Sequence, residues 1–328
     1  MSVPNPTVDV HQHLWPDELV DALRARSHAP YLRDWTLHLD GEAPYDVRSG
    51  DHGAEARVRS NSQSGIDTAL LSLSSPLGIE RLDPAEAGPL TELWNRTAVE
   101  LAELAPHQLG VWASTSLVEP DLDGLRTALA AGCVGLQVPA DALASPTAIE
   151  AMAPVLTVAQ DAGKPVFVHP GPATKVSGTA PPWWPAVVDY VAQMNAAWWA
   201  WHEAGRSLLP DLRVCLGAGA GLAPLHHERL TARGGSFSRI DPDVFVETSS
   251  YGPRAVDALT RVLGIDAIVL GTDRPYAEPN DPQLGAAAAR AIRVHNPHRL
   301  LYGGAPDRGA SHDRLGPSTD HTDTHDST

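Results

Sequence analysis

The chain has 328 residues, of which 43% are hydrophobic and 20% are charged, so it can bury a substantial core. Its formal net charge of −16 argues against nucleic acid as a partner, because a phosphate backbone requires clustered lysine and arginine. No apolar run approaches the roughly 18 residues of a membrane span, and the amino terminus lacks the features of a secretory signal. Cys133 and Cys215 are expected to be buried thiols of a reduced, cytoplasmic protein.

Short apolar segments alternate with helical patterns along the chain. The segments predicted as strands are 8–14, 66–75, 109–116, 134–140, 165–171, 212–219, 244–250 and 267–273. The predicted helices are 16–27, 89–105, 121–132, 145–163 with Ser145 as the N-cap, 185–205, 252–264 and 282–295. Residues 28–65 are rich in Gly, Asp, Arg and Ser and are predicted to be irregular.

This alternation predicts an α/β fold of the (β/α)8 TIM-barrel class over residues 1–304. An open doubly wound sheet fits less well, because the turn after the first strand, HLWPDE, lacks the glycines of a phosphate-binding turn. Residues 305–328 have no periodicity and few apolar side chains. They are expected to form a disordered tail, whose scattered histidines are weak evidence for metal binding.

The first predicted strand, VDVHQHL, carries two histidines one residue apart. Because successive side chains on a strand point to opposite faces, His11 and His13 are predicted to share a face with Asp9, while the valines and Gln12 point the other way. Two buried imidazoles each need a polar partner, which an apolar core does not provide. The pattern therefore favours a metal site over a core position.

In a (β/α)8 barrel the active site lies at the carboxyl ends of the strands. The fifth predicted strand ends in His169 and the eighth in Asp273, so both would meet His11 and His13 at one mouth. Neutral imidazole and carboxylate are preferred ligands of first-row divalent ions. The predicted cofactor is therefore one divalent metal, Zn²⁺ first and Mn²⁺ second, which would activate a bound water and polarise a substrate oxygen.

The same residues carry a family resemblance. The HxH of the first strand, VHPG at 168–171 and LGTDRPY at 270–276 resemble the amidohydrolase superfamily. More narrowly, the chain resembles the amidohydrolase-2 branch, which includes aminocarboxymuconate-semialdehyde decarboxylase, resorcylate-type decarboxylases and lactone hydrolases. The resemblance runs from about Val8 to about Leu301.

The resemblance implies a mononuclear metal site held by His11, His13, His169 and Asp273, with His169 and Asp273 as candidate catalytic residues. Binuclear members of the superfamily carry a carboxylated lysine or a similar bridging group on the fourth strand. This chain offers only Gln137 there, so one metal is favoured.

One position departs from the family pattern. The sixth strand normally ends in a histidine that acts as a base or stabilises the transition state, whereas this chain has Ala218 there. An alanine side chain can neither transfer a proton nor donate a hydrogen bond. The alternative proton-transfer candidates are His226, His227, Glu247, and Asp273 after leaving the metal, although a solvated helix face is the simpler interpretation of the two histidines.

Candidate substrate-binding residues are Lys175 in the loop after the fifth strand, Arg274 beside Asp273, and Gln137. A solvated loop charge is the simpler interpretation of Lys175, since exposed lysines are the rule. These residues suit a small carboxylated substrate, either aromatic or a lactone.

The predicted function is hydrolysis or non-oxidative decarboxylation by a metal-dependent enzyme. The alternatives are a hydratase of a dicarboxylic acid and a metal-binding barrel that has lost catalysis and serves in ligand binding or as a subunit of an assembly. Outer helices rich in tryptophan are compatible with a homodimer.

Overall fold

A computed structural model describes residues 5–174, 180–237 and 240–304. The predicted tail, 305–328, lies outside the described residues. Among the residues described, no helix has both the length and the apolar character needed to cross a bilayer.

A closed parallel barrel confirms the predicted (β/α)8 class. The described strands are β1 (Val8–Gln12), β2 (Tyr31–Arg33), β3 (Thr36–His38), β4 (Tyr45–Asp46), β5 (Thr68–Leu71), β6 (Leu109–Ala113), β7 (Gly135–Pro139), β8 (Val166–His169), β9 (Val214–Leu216), β10 (Val244–Glu247) and β11 (Ile268–Val269). Strands β1 and β5 to β11 pair in chain order. Backbone hydrogen bonds from Val10 N to Leu270 O (2.9 Å) and from Asp273 N to His11 O (2.8 Å) join the last barrel strand to the first.

Helices surround the barrel, and all of them except α2, α8, α11 and the short α7 overlap intervals predicted from the sequence. They are α1 (Asp17–Ala25), α2 (Ala54–Gln63), α3 (Pro84–Glu103), α4 (Leu122–Ala130), α5 (Pro146–Asp161), α6 (Tyr190–Ala200), α7 (Arg206–Leu208), α8 (His227–Ala232), α9 (Pro253–Leu263), α10 (Ala286–Arg290) and α11 (Asn296–Tyr302). Helix α6 continues on both sides as π-helical turns at Pro185–Asp189 and Trp201–Gly205. Ser145 caps α5 as predicted, accepting a hydrogen bond from Ala148 N at 3.1 Å.

Two apolar clusters hold this architecture together. The inner cluster fills the barrel with Val8, Val10, Leu70, Trp112, Phe167, Cys215, Phe245 and Val269, next to Leu300 and Leu301 of α11. The larger cluster lies between the strands and the surrounding helices. Cys133 and Cys215 are both buried and unpaired, as expected.

Residues 28–65, predicted to be irregular, contain regular structure. Strands β2, β3 and β4 form an antiparallel sheet, here called the small sheet, and α2 follows it. The strands have only two or three residues each, too few to show alternation. Helix α2 buries a polar face that includes Arg57 and Asn61, so it lacks the apolar periodicity that identifies most surface helices.

Strand β1 does not alternate regularly. Its pairing with β5 shifts register between Asp9 and Gln12, and such a bulge moves the following side chains to the other face. Asp9 Oδ2 accepts hydrogen bonds from Gln12 Nε2 at 2.6 Å and from Thr272 Oγ1 at 2.7 Å. The prediction that Asp9 shares a face with the two histidines, opposite Gln12, is therefore wrong.

A buried polar network connects β7 to the loop after β5. Gln137 Nε2 donates to Ser75 Oγ at 2.7 Å, and Ser75 Oγ donates to Glu80 Oε1 at 2.7 Å. Glu80 is 1% exposed, and its Oε2 atom has no hydrogen-bond partner among the described residues. Burial raises the pKa of Glu80 from 4.5 to about 7.

We expect Glu80→Gln to stabilise the protein above pH 7 and to change its stability little near pH 4. Between about pH 4.5 and 7 the folded protein retains a proton that the unfolded chain has released, so wild-type stability falls as the pH rises through this window. The neutral amide removes that loss, which amounts to roughly 2–4 kcal/mol at pH 8. Urea unfolding at both pH values measures the difference, with the exposed Glu55→Gln as control. An equal effect of Glu80→Gln at pH 4 and pH 8 would contradict the expectation.

Candidate metal centre

Three histidines and one aspartate meet at the carboxyl-terminal mouth of the barrel. His11 and His13 come from β1 and the residue after it, His169 ends β8, and Asp273 follows β11. One donor atom from each lies within 4.8 Å of all the others. The structure thus brings together the four residues predicted as metal ligands.

The distances between these donor atoms fit one small cation. His13 Nε2 lies 3.0 Å from His11 Nε2 and 3.2 Å from His169 Nε2. Asp273 Oδ1 lies 3.1 Å from His13 Nε2 and 3.4 Å from His11 Nε2. For metal–ligand bonds of about 2.1 Å, two ligands are about 3.0 Å apart at a right angle and about 3.4 Å apart at the tetrahedral angle. Four of the six distances between donor atoms thus match the spacing of ligands around a first-row divalent ion, and all six are within 4.8 Å.

The other ring nitrogen of each histidine is hydrogen bonded to an oxygen acceptor. Nδ1 of His13 donates to the Ser72 carbonyl at 2.9 Å, and Nδ1 of His169 donates to the Pro170 carbonyl at 2.8 Å. Because a carbonyl can only accept, both nitrogens carry the proton, and each Nε2 keeps a lone pair. This is the tautomer that a metal-binding histidine requires.

The electrostatic environment differs among the three imidazoles. Burial lowers the pKa of His13 and holds that of His169 well below 6.5, so both rings favour the neutral form. Burial also acts to lower the pKa of His11, but the carboxylates of Asp273 and Glu247 outweigh it and raise that pKa. A bound cation would take the place of this proton as the partner of the carboxylates.

Glu247, one of the predicted proton-transfer candidates, ends β10 and is completely buried beside the cluster. Its Oε1 atom accepts hydrogen bonds from His11 Nδ1 at 3.2 Å, from Ser249 Oγ at 2.7 Å and from the Ala218 N–H. Its Oε2 atom accepts from the Ser249 N–H and lies against Gly271, where an added Cβ would collide with it. This arrangement makes Glu247 a positioning residue that fixes the ring of His11.

Arg57 of α2 holds the end of β1 from the opposite side. It is 5% exposed and donates hydrogen bonds to the His13 carbonyl at 2.9 Å and to Gln12 Oε1 at 3.2 Å. Asn61, one helical turn later, accepts from Gln12 Nε2 at 3.0 Å. These contacts fix the backbone that carries both β1 histidines, and sequence reasoning missed them because α2 was not predicted.

Arg274, predicted to bind substrate, is directed away from the barrel mouth. It is 5% exposed, and its guanidinium donates to Asn61 Oδ1 at 2.9 Å, to Ser64 Oγ at 2.7 Å and to Glu278 Oε2 at 2.8 Å. These bonds join the segment after β11 to α2. The structure therefore does not bring Arg274 to the substrate side of the centre.

The remaining predicted residues lie elsewhere or outside the described part. Gln137 belongs to the buried network with Ser75, and His226 is exposed on the surface. The ring of His227 is stacked on Phe237 with centroids 3.5 Å apart, in a separate depression. Lys175 lies outside the described residues.

A cavity of about 910 Å³ opens above the four-residue cluster. Ala218 borders it, so the position that lacks the family histidine lies at the site itself. Other bordering residues come from the small-sheet segment, from the beginning of the α6 helical region and from the segment after β10. They include Leu39, Glu42, Tyr45, Trp184, Asp189, Tyr190, Ser249, Ser250 and Tyr251.

A carboxylate and two phenols on this wall were not predicted from the sequence. The Tyr190 hydroxyl donates to Glu42 Oε1 at 2.6 Å. The pKa values of Tyr45 and Tyr190 are both raised. Burial is the largest cause for each residue, and the charges of Glu42 and Asp273 add to it. Both phenols therefore stay protonated near neutral pH. No motif marks these residues, because they meet only when distant segments of the chain fold together.

Tyr276 is a further bordering residue, and the LGTDRPY motif contains the signal that could have identified it. Its ring lies edge-on to His13 with centroids 5.6 Å apart. Its hydroxyl is hydrogen bonded to Ser74 and Tyr45. It exposes 45% of its surface because it lines the cavity.

Comparisons with known proteins place this geometry in context. No protein-family model matches the chain. A 6-methylsalicylic acid decarboxylase of Aspergillus aculeatus is 29% identical over 172 residues, which are 50% of this chain and 47% of that protein. The chain therefore spans about half the length of this curated relative.

Similar solved structures cover most of the chain. The apo form of IDCase from Metarhizium anisopliae matches with a TM-score of 0.73 and 20% identity, over 90% of this chain and 97% of that one. A 5-carboxyvanillate decarboxylase from Novosphingobium aromaticivorans with bound manganese matches with a TM-score of 0.68 and 15% identity, over 90% and 97% of the two chains. The chain thus has the fold of these solved structures.

Proposed function

We propose that the protein is a mononuclear, metal-dependent carboxy-lyase that removes CO₂ from a small aromatic carboxylic acid. The observation that carries the proposal is the group of four donor atoms within 4.8 Å of one another where the cavity meets the barrel. The similarity to decarboxylases favours this reaction over hydrolysis, which would use the same ligands. Zn²⁺ is the proposed metal because it suits three neutral imidazoles and a carboxylate, and Mn²⁺ is the second candidate.

The residues of the cluster would divide the chemistry between them. A divalent ion held by them would supply a Lewis acid that polarises an oxygen of the bound acid. Asp273 is 23% exposed, whereas His11 is 2% and His13 is 1% exposed, so Asp273 would present the most surface to a bound acid. In the proposed step the bond between the ring and the carboxyl carbon breaks, and its electron pair stays on the ring carbon. Asp273 would first leave the cation and take a proton from water, then transfer that proton to the ring carbon and return to its carboxylate form, and CO₂ leaves.

The cavity wall would orient the acid. Trp184 and Leu39 exclude water from the ring, while Tyr45 and Tyr190 remain protonated and can donate hydrogen bonds. Ala218 offers no polar side chain, but the neighbouring Tyr251 ring packs against the Gly219 backbone and also borders the cavity.

Metal content tests the ligand assignment directly. We expect close to one divalent metal per chain in protein purified without chelators, and close to none in the His11→Ala/His13→Ala variant. Elemental analysis measures both, and the exposed His226→Ala serves as a matched control that should keep its metal. Wild-type protein that is folded but takes up neither zinc nor manganese would contradict the assignment.

Glu247→Gln should weaken metal binding by roughly 10- to 100-fold, which is the usual effect of losing an outer-sphere acceptor. The substitution replaces one carboxylate oxygen of Glu247 by an NH₂ group, which cannot accept a hydrogen bond from the donors around this position. Competition with a chelating dye measures the affinity, and circular dichroism confirms the fold. A folded variant with wild-type affinity would remove Glu247 from its positioning role.

Turnover tests the proposed reaction. Metal-loaded protein is expected to release CO₂ from at least one member of a panel of hydroxybenzoic acids, to lose this activity with a chelator, and to regain it with one metal equivalent. Asp273→Asn should lower kcat by roughly 10²–10⁴-fold, the usual contribution of an acid–base group. A metal-bound protein that releases no CO₂ would instead support the metal-binding barrel without catalysis, the alternative that Ala218 favours.

A further inference from the structure

Glu42 is held in a fixed position on the cavity wall. It lies between β3 and β4 of the small sheet, and its Oε1 atom accepts the hydroxyl proton of Tyr190 at 2.6 Å. Burial raises the pKa of Glu42, whereas this hydrogen bond lowers it, because a hydroxyl binds an ionised carboxylate more strongly than a neutral one. Asp189, the residue before Tyr190, borders the same cavity and adds a second negative charge near Glu42.

Glu42 and the four-residue cluster both contribute to the electrostatic environment of Tyr45 and Tyr190. The charges of Glu42 and Asp273 both influence Tyr45, and both influence Tyr190. Tyr190 is hydrogen bonded to Glu42 and borders the same cavity as the cluster. Tyr45 is hydrogen bonded to Tyr276, whose ring centroid lies 5.6 Å from that of His13. An aromatic acid whose carboxylate binds at the cluster would extend along these phenols toward Glu42.

The charges around the cavity would favour one carboxylate only. Among the described residues that border the cavity there is neither an arginine nor a lysine, and Arg274 is bound on the far side to α2. A divalent ion held by the cluster would supply positive charge for one carboxylate. A second carboxylate directed toward Glu42 would face a like charge in a partly dehydrated space, where repulsion is stronger than in water.

We propose that Glu42 is a specificity-determining residue that restricts the substrate to aromatic acids with one carboxylate and an uncharged far edge. A hydroxyl or amino group there could donate a hydrogen bond to Glu42. One similar protein is named for an acid with a single carboxyl group, 6-methylsalicylic acid, and another for an acid with two, 5-carboxyvanillate. The fold alone therefore does not decide between substrates with one carboxylate and substrates with two. The inference rests on the proposed function.

Two probe molecules of nearly equal size separate the effect of a second negative charge on the ligand from the effect of its size. Benzene-1,3-dicarboxylate and 3-carbamoylbenzoate differ only in whether the second group is a carboxylate or a neutral amide. Titration calorimetry of the metal-loaded full chain would give both dissociation constants, and it is done near pH 8 because burial raises the pKa of Glu42 above its ordinary value. We expect the wild-type protein to bind the dicarboxylate at least about tenfold more weakly than the amide, and Glu42→Gln to reduce that ratio about tenfold.

Three further variants separate charge from other effects. Glu55→Gln makes the same chemical change on an exposed face of α2 and should leave the ratio unchanged. Tyr190→Phe removes the hydrogen bond but keeps the charge of Glu42, so its ratio should stay closer to wild type than that of Glu42→Gln. Lys175→Met should also preserve the ratio, because the inference assigns the preference to Glu42.

The results distinguish this inference from the function on which it rests. Equal wild-type affinities for the two probes, or a ratio that Glu42→Gln leaves unchanged, would overturn the role of Glu42 even if monocarboxylic acids release CO₂. Metal-loaded protein that binds neither probe and decarboxylates no acid would overturn both proposals together.

Discussion

The hydrogen bonds at Nδ1 of the three site histidines are the constraint on which the centre depends. Two carbonyls and the Glu247 carboxylate hydrogen bond to these nitrogens, so the Nε2 atoms are directed into the cluster. His13 Nε2 lies 3.0–3.2 Å from the other two Nε2 atoms, and Asp273 Oδ1 lies 3.1–3.4 Å from those of His13 and His11. The unprotonated Nε2 atoms of His13 and His169 cannot hydrogen bond to each other, and the Asp273 carboxylate beside His13 and His11 adds negative charge. One cation satisfies all four groups at once, which is why the geometry supports the proposed metal.

The elements around β1 are arranged to maintain that constraint. The register shift between Asp9 and Gln12 brings His11 and His13 to the inner face while the valines before them still fill the barrel. The polar side chains displaced outward are not left unsatisfied, because Asp9 and Gln12 bond to each other and to residues of α2 and the segment after β11. A buried polar network of this kind favours one arrangement, since each alternative would leave a polar group without a partner.

The barrel and the four cluster residues could be predicted because their signals are local: apolar strand runs, an HxH pair, and single polar residues at strand ends. The side-chain orientation of Asp9 could not, because a bulge breaks the alternation on which the prediction relied. Arg274 was misassigned for a different reason, since its partners lie in a helix whose buried face is polar. The hydrogen bond between Glu42 and Tyr190 joins positions 148 residues apart, and neither segment has a sequence pattern that predicts it.

Because the small sheet forms part of the wall, the cavity is built from two different regions of the chain. The cluster is built from barrel strands that also carry the core, whereas Glu42 and Tyr45 belong to an insert between α1 and α2 that contributes no residue to the cluster. Loops set on a barrel tolerate sequence change better than the strands that carry them. The insert side of the cavity can therefore change its residues while the strands, and the four cluster residues at their ends, stay as they are.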